Sequence, residues 1–238
     1  MKIAIIGYGK MGKEIEKIAL ERGHSVPLKI SSQNLKEFSK ENLEKCDAAI
    51  DFTTPDLAVG NIYKCFDANL PIVVGTTGWY ASFNEVIQKC AKHNQTILHA
   101  TNCSLGVNLF FELNKKLAKL MSTQNDYDVK IEEIHHTQKL DAPSGTAITL
   151  AEGLIENYSQ KNTWKCDQEV GENELLINAI REENVPGTHA IKYSSEIDEI
   201  EIKHTAHNRK GFAKGAVIAA EYIANKKGVF SMNDVLFN

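Results

Sequence analysis

The chain has 238 residues, 42% apolar and 24% charged, with a formal net charge of −4 at pH 7. That length suffices for one large or two small domains around sizeable cores; the acidic balance gives no support to nucleic-acid binding, and no apolar run approaches the ~20 residues that span a bilayer. Five cysteines without a C-x-x-C pair predict reduced thiols in a cytoplasmic protein, with neither a disulfide framework nor a metal site.

The opening MKIAIIGYGKMG reads as a strand and turn, not a signal peptide. Residues 2–6 form a short apolar strand running into Gly7, Tyr8, Gly9, Lys10, Met11 and Gly12, after which Ile15, Ile18 and Ala19 recur at helical spacing. Strand, G-x-G-x-x-G and helix in that order make a dinucleotide fingerprint in its required context. Gly7 permits the tight turn, Gly9 lets backbone approach a pyrophosphate, and Gly12 allows close helix packing. A second strand over 25–30 is followed by Ser31 and Ser32, where Asp or Glu would favour a cofactor lacking a 2′-phosphate. Lys29 and Lys36 lie nearby and no carboxylate occurs until Glu37, a pattern that favours NADPH or dual use with NADH. The competing reading is that these are ordinary loop serines.

Residues 48–52 read as a buried strand ending in Asp51-Phe52-Thr53-Thr54-Pro55, and 70–74 as another, followed by Gly75-Thr76-Thr77-Gly78 where ligands collect in open parallel sheets. As a bare motif, GTTG is equally a structural turn. The strand 96–100 leads into Thr101-Asn102-Cys103-Ser104-Leu105-Gly106-Val107-Asn108. No histidine in this motif accompanies Cys103, so it does not read as a thiolate nucleophile. An apolar-periodic helix follows over 109–121.

Tyr127, Val129 and Ile131 alternate as in a half-buried strand, and Ala147, Leu150, Ala151, Leu154, Ile155 and Tyr158 recur at helical spacing. Between them lies EIHHTQKLDAPSGTA, residues 133–147, read as strand, loop and helix start, with His135, His136 and Lys139 in the loop. Pro143 and Ser144 punctuate the helix entrance, so free N–H groups and the positive dipole end would sit beside three potentially cationic side chains. Such a conjunction predicts an anion site with a proton donor attached, and a net-acidic protein needs a local positive pocket of this kind to draw in an anion. Residues 160–174 look like a polar loop between two helices. The stretch 180–189 holds Arg181 and Pro186-Gly187-Thr188-His189, strands are expected over 190–193 and 197–204, and a helix over 212–224.

The string Glu133-x-His135-x-x-x-Lys139-x-Asp141-x-Pro143-Ser144-Gly145-Thr146-Ala147 resembles the signature of the 4-hydroxy-tetrahydrodipicolinate reductase (dihydrodipicolinate reductase) family, and the likeness runs from the glycine-rich start through DFTTP, GTTG and SLGVN to GFAKGAV. Two departures are visible. Lys130 stands where the family often has glutamate, and Thr101 to Ser104 replace the family's ANFS. The resemblance implies an N-terminal Rossmann-type parallel-sheet domain (1–103 plus 210–238, with the C-terminal helix returning to it) and a second α+β substrate and oligomerisation domain (104–209). It implies an active site in the cleft, with closure about hinges near 103–106 and 208–211.

By the same resemblance, hydride passes from NADPH or NADH to 4-hydroxy-tetrahydrodipicolinate, giving tetrahydrodipicolinate with loss of water in lysine and diaminopimelate biosynthesis. The partners implied are a small dicarboxylate substrate and further copies in a homotetramer, with no nucleic acid and no membrane. Cofactor contacts are expected from Gly7, Tyr8, Gly9, Lys10, Met11, Gly12, Ser31, Ser32, Phe52, Thr53, Gly75, Thr76, Thr77, Thr101, Asn102, Cys103 and Ser104. His135 is expected as the acid and Lys139 as a catalytic and substrate-binding cation; His136 would bind a carboxylate, and Gly145 and Thr146 would offer helix-start donors. Two alternatives stay open: another two-domain NAD(P)-dependent dehydrogenase of an amino acid or semialdehyde, or a dinucleotide sensor without turnover.

Overall fold

The computed structural model describes residues 1–237. In chain order its elements are β1 (Lys2–Ile6), α1 (Lys10–Glu21), β2 (Ser25–Ile30), α2 (Lys40–Leu43), β3 (Ala48–Asp51), α3 (Pro55–Asp67), β4 (Ile72–Val74), α4 (Phe83–Lys92), β5 (Thr96–His99), α5 (Leu105–Met121), β6 (Asp128–His135), α6 (Gly145–Ile155), β7 (Thr163–Cys166), β8 (Glu174–Arg181), β9 (Thr188–Ser194), β10 (Glu199–Thr205), α7 (Lys210–Ile223), β11 (Gly228–Phe230) and α8 (Met232–Phe237). Among the described residues no helix is long and apolar enough to cross a membrane. The chain divides into two compact units, one of residues 1–105 with the segment from Arg209 onward, the other of residues 106–208.

The first unit is a parallel six-stranded sheet in the order β11-β5-β4-β3-β1-β2. Its strands are apolar on both faces, as a sheet covered on two sides requires. Ala4, Ile6, Ala49, Ile72 and Val74 pack with α3 and α4 on one side, while Ile3, Ile5, Ala48, Ile50 and Val73 pack with α1 and α7 on the other. The chain winds outward in both directions from β1 and β3, so their carboxyl ends flank the crevice where open α/β sheets take ligands. Pro55 occupies the first turn of α3, where its missing N–H costs nothing.

The second unit is a mixed five-stranded sheet ordered β10-β9-β6-β8-β7, with β6 antiparallel to β9 and parallel to β8. Val107, Phe110 and Phe111 of α5 and Leu150, Ala151 and Leu154 of α6 cover one face with Val129, Ile131, Ile177, Ile191 and Tyr193. The expected polar loop between two helices over 160–174 is corrected here: it contains edge strand β7 and leads into strand β8. Leu175 and Ile177 fit either period locally, and pairing with the distant β6 decides for the strand.

Candidate active site

In the first unit, the residues expected to hold a dinucleotide surround the carboxyl ends of β1, β3 and β4. Gly7 adopts φ +93°, and a Cβ there would sit 2.0 Å from the Phe52 carbonyl oxygen. A Cβ on Gly12 would meet the Gly7 carbonyl oxygen at 2.4 Å, so both positions exclude any side chain. Gly9, the N-cap of α1, has nothing within 4 Å of its missing Cβ. The first turn of α1 contains no acidic residue. A solvent-exposed helix start with glycine at its N-cap and no acidic residue in its first turn fits a pyrophosphate. The residues present therefore suit the cofactor.

A buried carboxylate joins the next two motifs. Asp51 accepts hydrogen bonds from the Thr76 hydroxyl (2.5 Å), the Thr53 hydroxyl (3.0 Å) and the Asn61 amide (2.8 Å). The Thr53 N–H donates to the Thr76 hydroxyl at 2.8 Å. Burial pushes the Asp51 carboxyl above its ordinary value, against those three partners. Gly75 lies against the Phe52 ring, whose Cζ would be 2.2 Å from a Cβ. DFTTP and GTTG thus form one braced wall, and the hydroxyls of Thr53 and Thr76 are turned to Asp51. Thr77 is exposed.

At the end of β2 the Ser31 hydroxyl and N–H both reach Asn34 Oδ1, and Ser32 is exposed. Lys29 is already engaged: its Nζ lies 2.9 Å from Glu16 on α1 and 5.5 Å from the centre of the Tyr8 ring, whose hydroxyl also donates to Glu16. A carboxylate therefore stands beside this corner after all, delivered by α1. Thr101 and Asn102 are half-buried, the Ser104 N–H donates to Asn102 Oδ1, and burial pushes the Cys103 thiol up to about 12, which suits packing and not nucleophilic attack.

In the second unit the candidate chemistry lies along one strand. Side chains of β6 alternate, so Val129, Ile131, Glu133 and His135 share the covered face. The first two are core residues and the last two are ionisable. His135 is corrected from loop to strand: it ends β6, 7% exposed, while His136 begins the turn. The register sets His189 of β9 opposite Glu133, and Arg181 of β8 beside His135. His135 Nδ1 lies 3.3 Å from Glu133 Oε2, and His189 Nε2 lies 3.5 Å from the same oxygen. Glu133 Oε1 accepts the Ser144 N–H at 3.0 Å and faces Arg181 Nη2 at 3.5 Å.

Burial would raise the Glu133 carboxyl, but hydrogen bonds from His135, His189 and Ser144 outweigh it and hold the group well below the usual carboxylate range. Burial pushes the His189 ring below the ordinary histidine value, with Glu133 opposing. Glu133, His135 and His189 also bring ligand-type atoms within 4.8 Å of one another, yet the carboxylate already serves two rings, an N–H and an arginine. Among the described residues these three form a buried cluster in which Glu133 Oε2 and His135 Nδ1 face each other at 3.3 Å, each without a hydrogen-bond partner.

Ser144 caps α6, its hydroxyl accepting the Ala147 N–H at 3.1 Å, so Gly145 and Thr146 occupy the first helical turn with its outward N–H groups. Lys139 Nζ lies 2.8 Å from Asp141, and Arg181 Nη2 donates to the Asp141 carbonyl at 2.7 Å. The structure therefore gathers His135, Lys139 and the α6 start around one turn. Glu133, His189 and Arg181 carried no role in the sequence reading; their signal was an apolar alternation that ends in polar residues, in Val129-Ile131-Glu133-His135 and again in Tyr193-Ile191-His189.

The family description "Dihydrodipicolinate reductase, N-terminus" matches residues 1–103, and "Dihydrodipicolinate reductase, C-terminus" matches 106–236. A 4-hydroxy-tetrahydrodipicolinate reductase from Christiangramia forsetii is 50% identical over 99% of this chain and 98% of its own length. One from Alkaliphilus metalliredigens is 34% identical over 99% of each. A dipicolinate-bound dihydrodipicolinate reductase from Paenisporosarcina sp. TG-14 shares the fold at TM-score 0.75 and 23% identity, covering 97% of both chains. With both halves matched and half of all positions identical to a full-length relative, the chain belongs to the dihydrodipicolinate reductase family of nucleotide-dependent oxidoreductases.

Proposed function

We propose that the protein reduces 4-hydroxy-tetrahydrodipicolinate to tetrahydrodipicolinate with loss of water, in lysine and diaminopimelate biosynthesis. The observation that carries this reading is the buried histidine that ends β6, on the segment that leads through Lys139 to the capped start of α6. When bound, the dihydronicotinamide supplies hydride to the conjugated ring of the substrate. Electron density left on the ring needs a proton, and His135 is the donor. Two substrate carboxylates need fixed positive partners, supplied by Lys139, His136 and the N–H groups of Gly145 and Thr146. Lys139 exchanges Asp141 for a substrate carboxylate.

The Gly7 to Gly12 turn cradles the pyrophosphate, with Tyr8, Lys10 and Met11 around it; Ser31 and Ser32 meet the adenosine ribose, and Phe52, Thr53, Gly75, Thr76, Thr77 and the Thr101 to Ser104 stretch line the nicotinamide side. Both NADPH and NADH are accepted, because no carboxylate follows β2 directly, while the hold of Glu16 on Lys29 tempers the attraction for a 2′-phosphate. A homotetrameric assembly in the cytosol completes the reading. The test is a coupled assay with aspartate semialdehyde, pyruvate and the preceding synthase, run in parallel with NADPH and NADH. Loss of nicotinamide absorbance dependent on all components supports it; none with either cofactor overturns it. Light scattering tests the tetramer.

A further inference from the structure

One buried group has no part in the scheme above. Glu133 is fully buried and belongs to the layer of side chains that, one and two positions earlier along the same face, is Ile131 and Val129. A lone carboxylate is costly there unless its environment demands the charge. Its environment is specific. Oε2 faces His135 Nδ1 at 3.3 Å and His189 Nε2 at 3.5 Å, and Oε1 takes the Ser144 N–H at 3.0 Å. The far edge of the His135 ring is treated differently: a Cβ on Gly187 would lie 3.0 Å from Nε2, and Gly187 holds φ +156° with no side chain to obstruct it.

We propose that Glu133 is a positioning residue for the reaction: its carboxylate fixes the His135 ring through Nδ1, leaves Nε2 as the atom that delivers the proton, and ties that ring to the start of α6 through Ser144. The proposal rests on reading His135 as the proton donor. A histidine with one nitrogen committed to a carboxylate has its tautomer chosen by that bond. In the transfer the Nε2–H bond breaks, a C–H bond forms on the substrate ring, and the N–H electron pair stays on Nε2. The product imidazole is neutral, with its remaining proton on Nδ1 against Glu133.

The second contact of Glu133 explains why a carboxylate, and not an amide, is suited to the position. Ser144 is the N-cap of α6, so one side chain sets both the acid and the helix start that receives a carboxylate, and neither can shift without the other. His189, from β9, is packed edge-on against the His135 ring with centroids 5.0 Å apart, and burial lowers its affinity for a proton. It fills the other side of the carboxylate. The remaining ionisable groups facing this cluster are Arg181 from β8, Cys166 from β7 and His204 from β10.

The test uses the full-length protein. Long-range 15N–1H spectra of histidine-labelled wild type are expected to show neutral His135 carrying its proton on Nδ1, and Glu133→Gln to redistribute it toward Nε2. Kinetically, Glu133→Gln is expected to lower kcat by roughly tenfold or more, with KM for the nicotinamide cofactor unchanged. Glu133→Asp keeps the carboxylate and is expected to restore protonation of the His135 ring on Nδ1. A wild-type His135 protonated on Nε2, or a Glu133→Gln enzyme with undiminished kcat, overturns the proposal. The wild-type spectrum decides even if the glutamine variant fails to fold. It needs no substrate, so absence of turnover in the wild type counts against the reaction and not against the role of Glu133.

Discussion

At the scale of single residues, the proposed function has His135 and Lys139 acting on different parts of the rate. His135 is locked in the end of a strand between Glu133 and Gly187, so His135→Ala removes a positioned acid. We expect kcat to fall by roughly 10² to 10⁴ with cofactor affinity intact. The Lys139 ammonium pairs with Asp141, whose side chain is 60% exposed, a pair worth little in water. On the proposed function, a dianionic substrate would displace Asp141, and the ammonium would then serve both binding and turnover. Lys139→Met is accordingly expected to raise KM and lower kcat together, measured by steady-state kinetics on the folded variant. A His135→Ala protein with near-normal turnover would transfer the acid role to Lys139 or water.

Among the elements, α1 and α7 depend on glycines for their approach to neighbouring backbone. A Cβ on Gly215 would lie 1.7 Å from the Cys103 carbonyl oxygen. Gly215→Ala is therefore expected to destabilise by about 1–3 kcal/mol or more despite the better helix propensity of alanine, read as a lowered thermal midpoint. On the other flank of α1, Glu16 pairs with Lys29, the lysine proposed to attract a 2′-phosphate. Glu16→Gln should improve KM for NADPH relative to NADH by about two- to fivefold, the scale of one exposed ion pair. An unchanged ratio would remove Lys29 from cofactor choice. These elements also mark what was legible in the chain. Strand, glycine turn and helix are consecutive, so their periods and turn chemistry announced the first sheet, and DAPSGTA announced the capped start of α6. Non-local pairing hid the rest. ELLINAIR is locally ambiguous until β6 claims it, three-residue β11 exists only as an added edge on β5, and His189 joins Glu133 only through the β6 to β9 register.

For the whole molecule, the buried ionisable groups set how stability responds to acid. Glu133 sits well below the ordinary carboxylate range when folded, so its contribution is complete above the unfolded value of about 4.3 and is lost as pH falls through and below it. His189 is pushed down by burial, as are His99 and His204. Unfolding lets each take a proton once pH drops below about 6.5, so stability declines there first. Asp51, raised by burial, acts in the opposite sense at the acid end, because protonation relieves its buried charge. Urea midpoints at pH 7.5, 5.5 and 4 are expected to fall in that order, and His189→Gln to flatten the first interval. A midpoint unaffected between pH 7.5 and 5.5 would contradict the burial of neutral histidine.

One consequence follows from β6 turning from apolar to ionisable along a single face. Buried charge clusters are commonly matched or surpassed in stability by well-packed apolar replacements. A library randomised at 133, 135 and 189 and selected only for survival of heating should therefore drift toward leucine and methionine there, extending the layer begun by Val129 and Ile131. Its hardiest members would be inert, and the distance between the hardiest and the most active clones would measure how much robustness this fold forgoes in order to react.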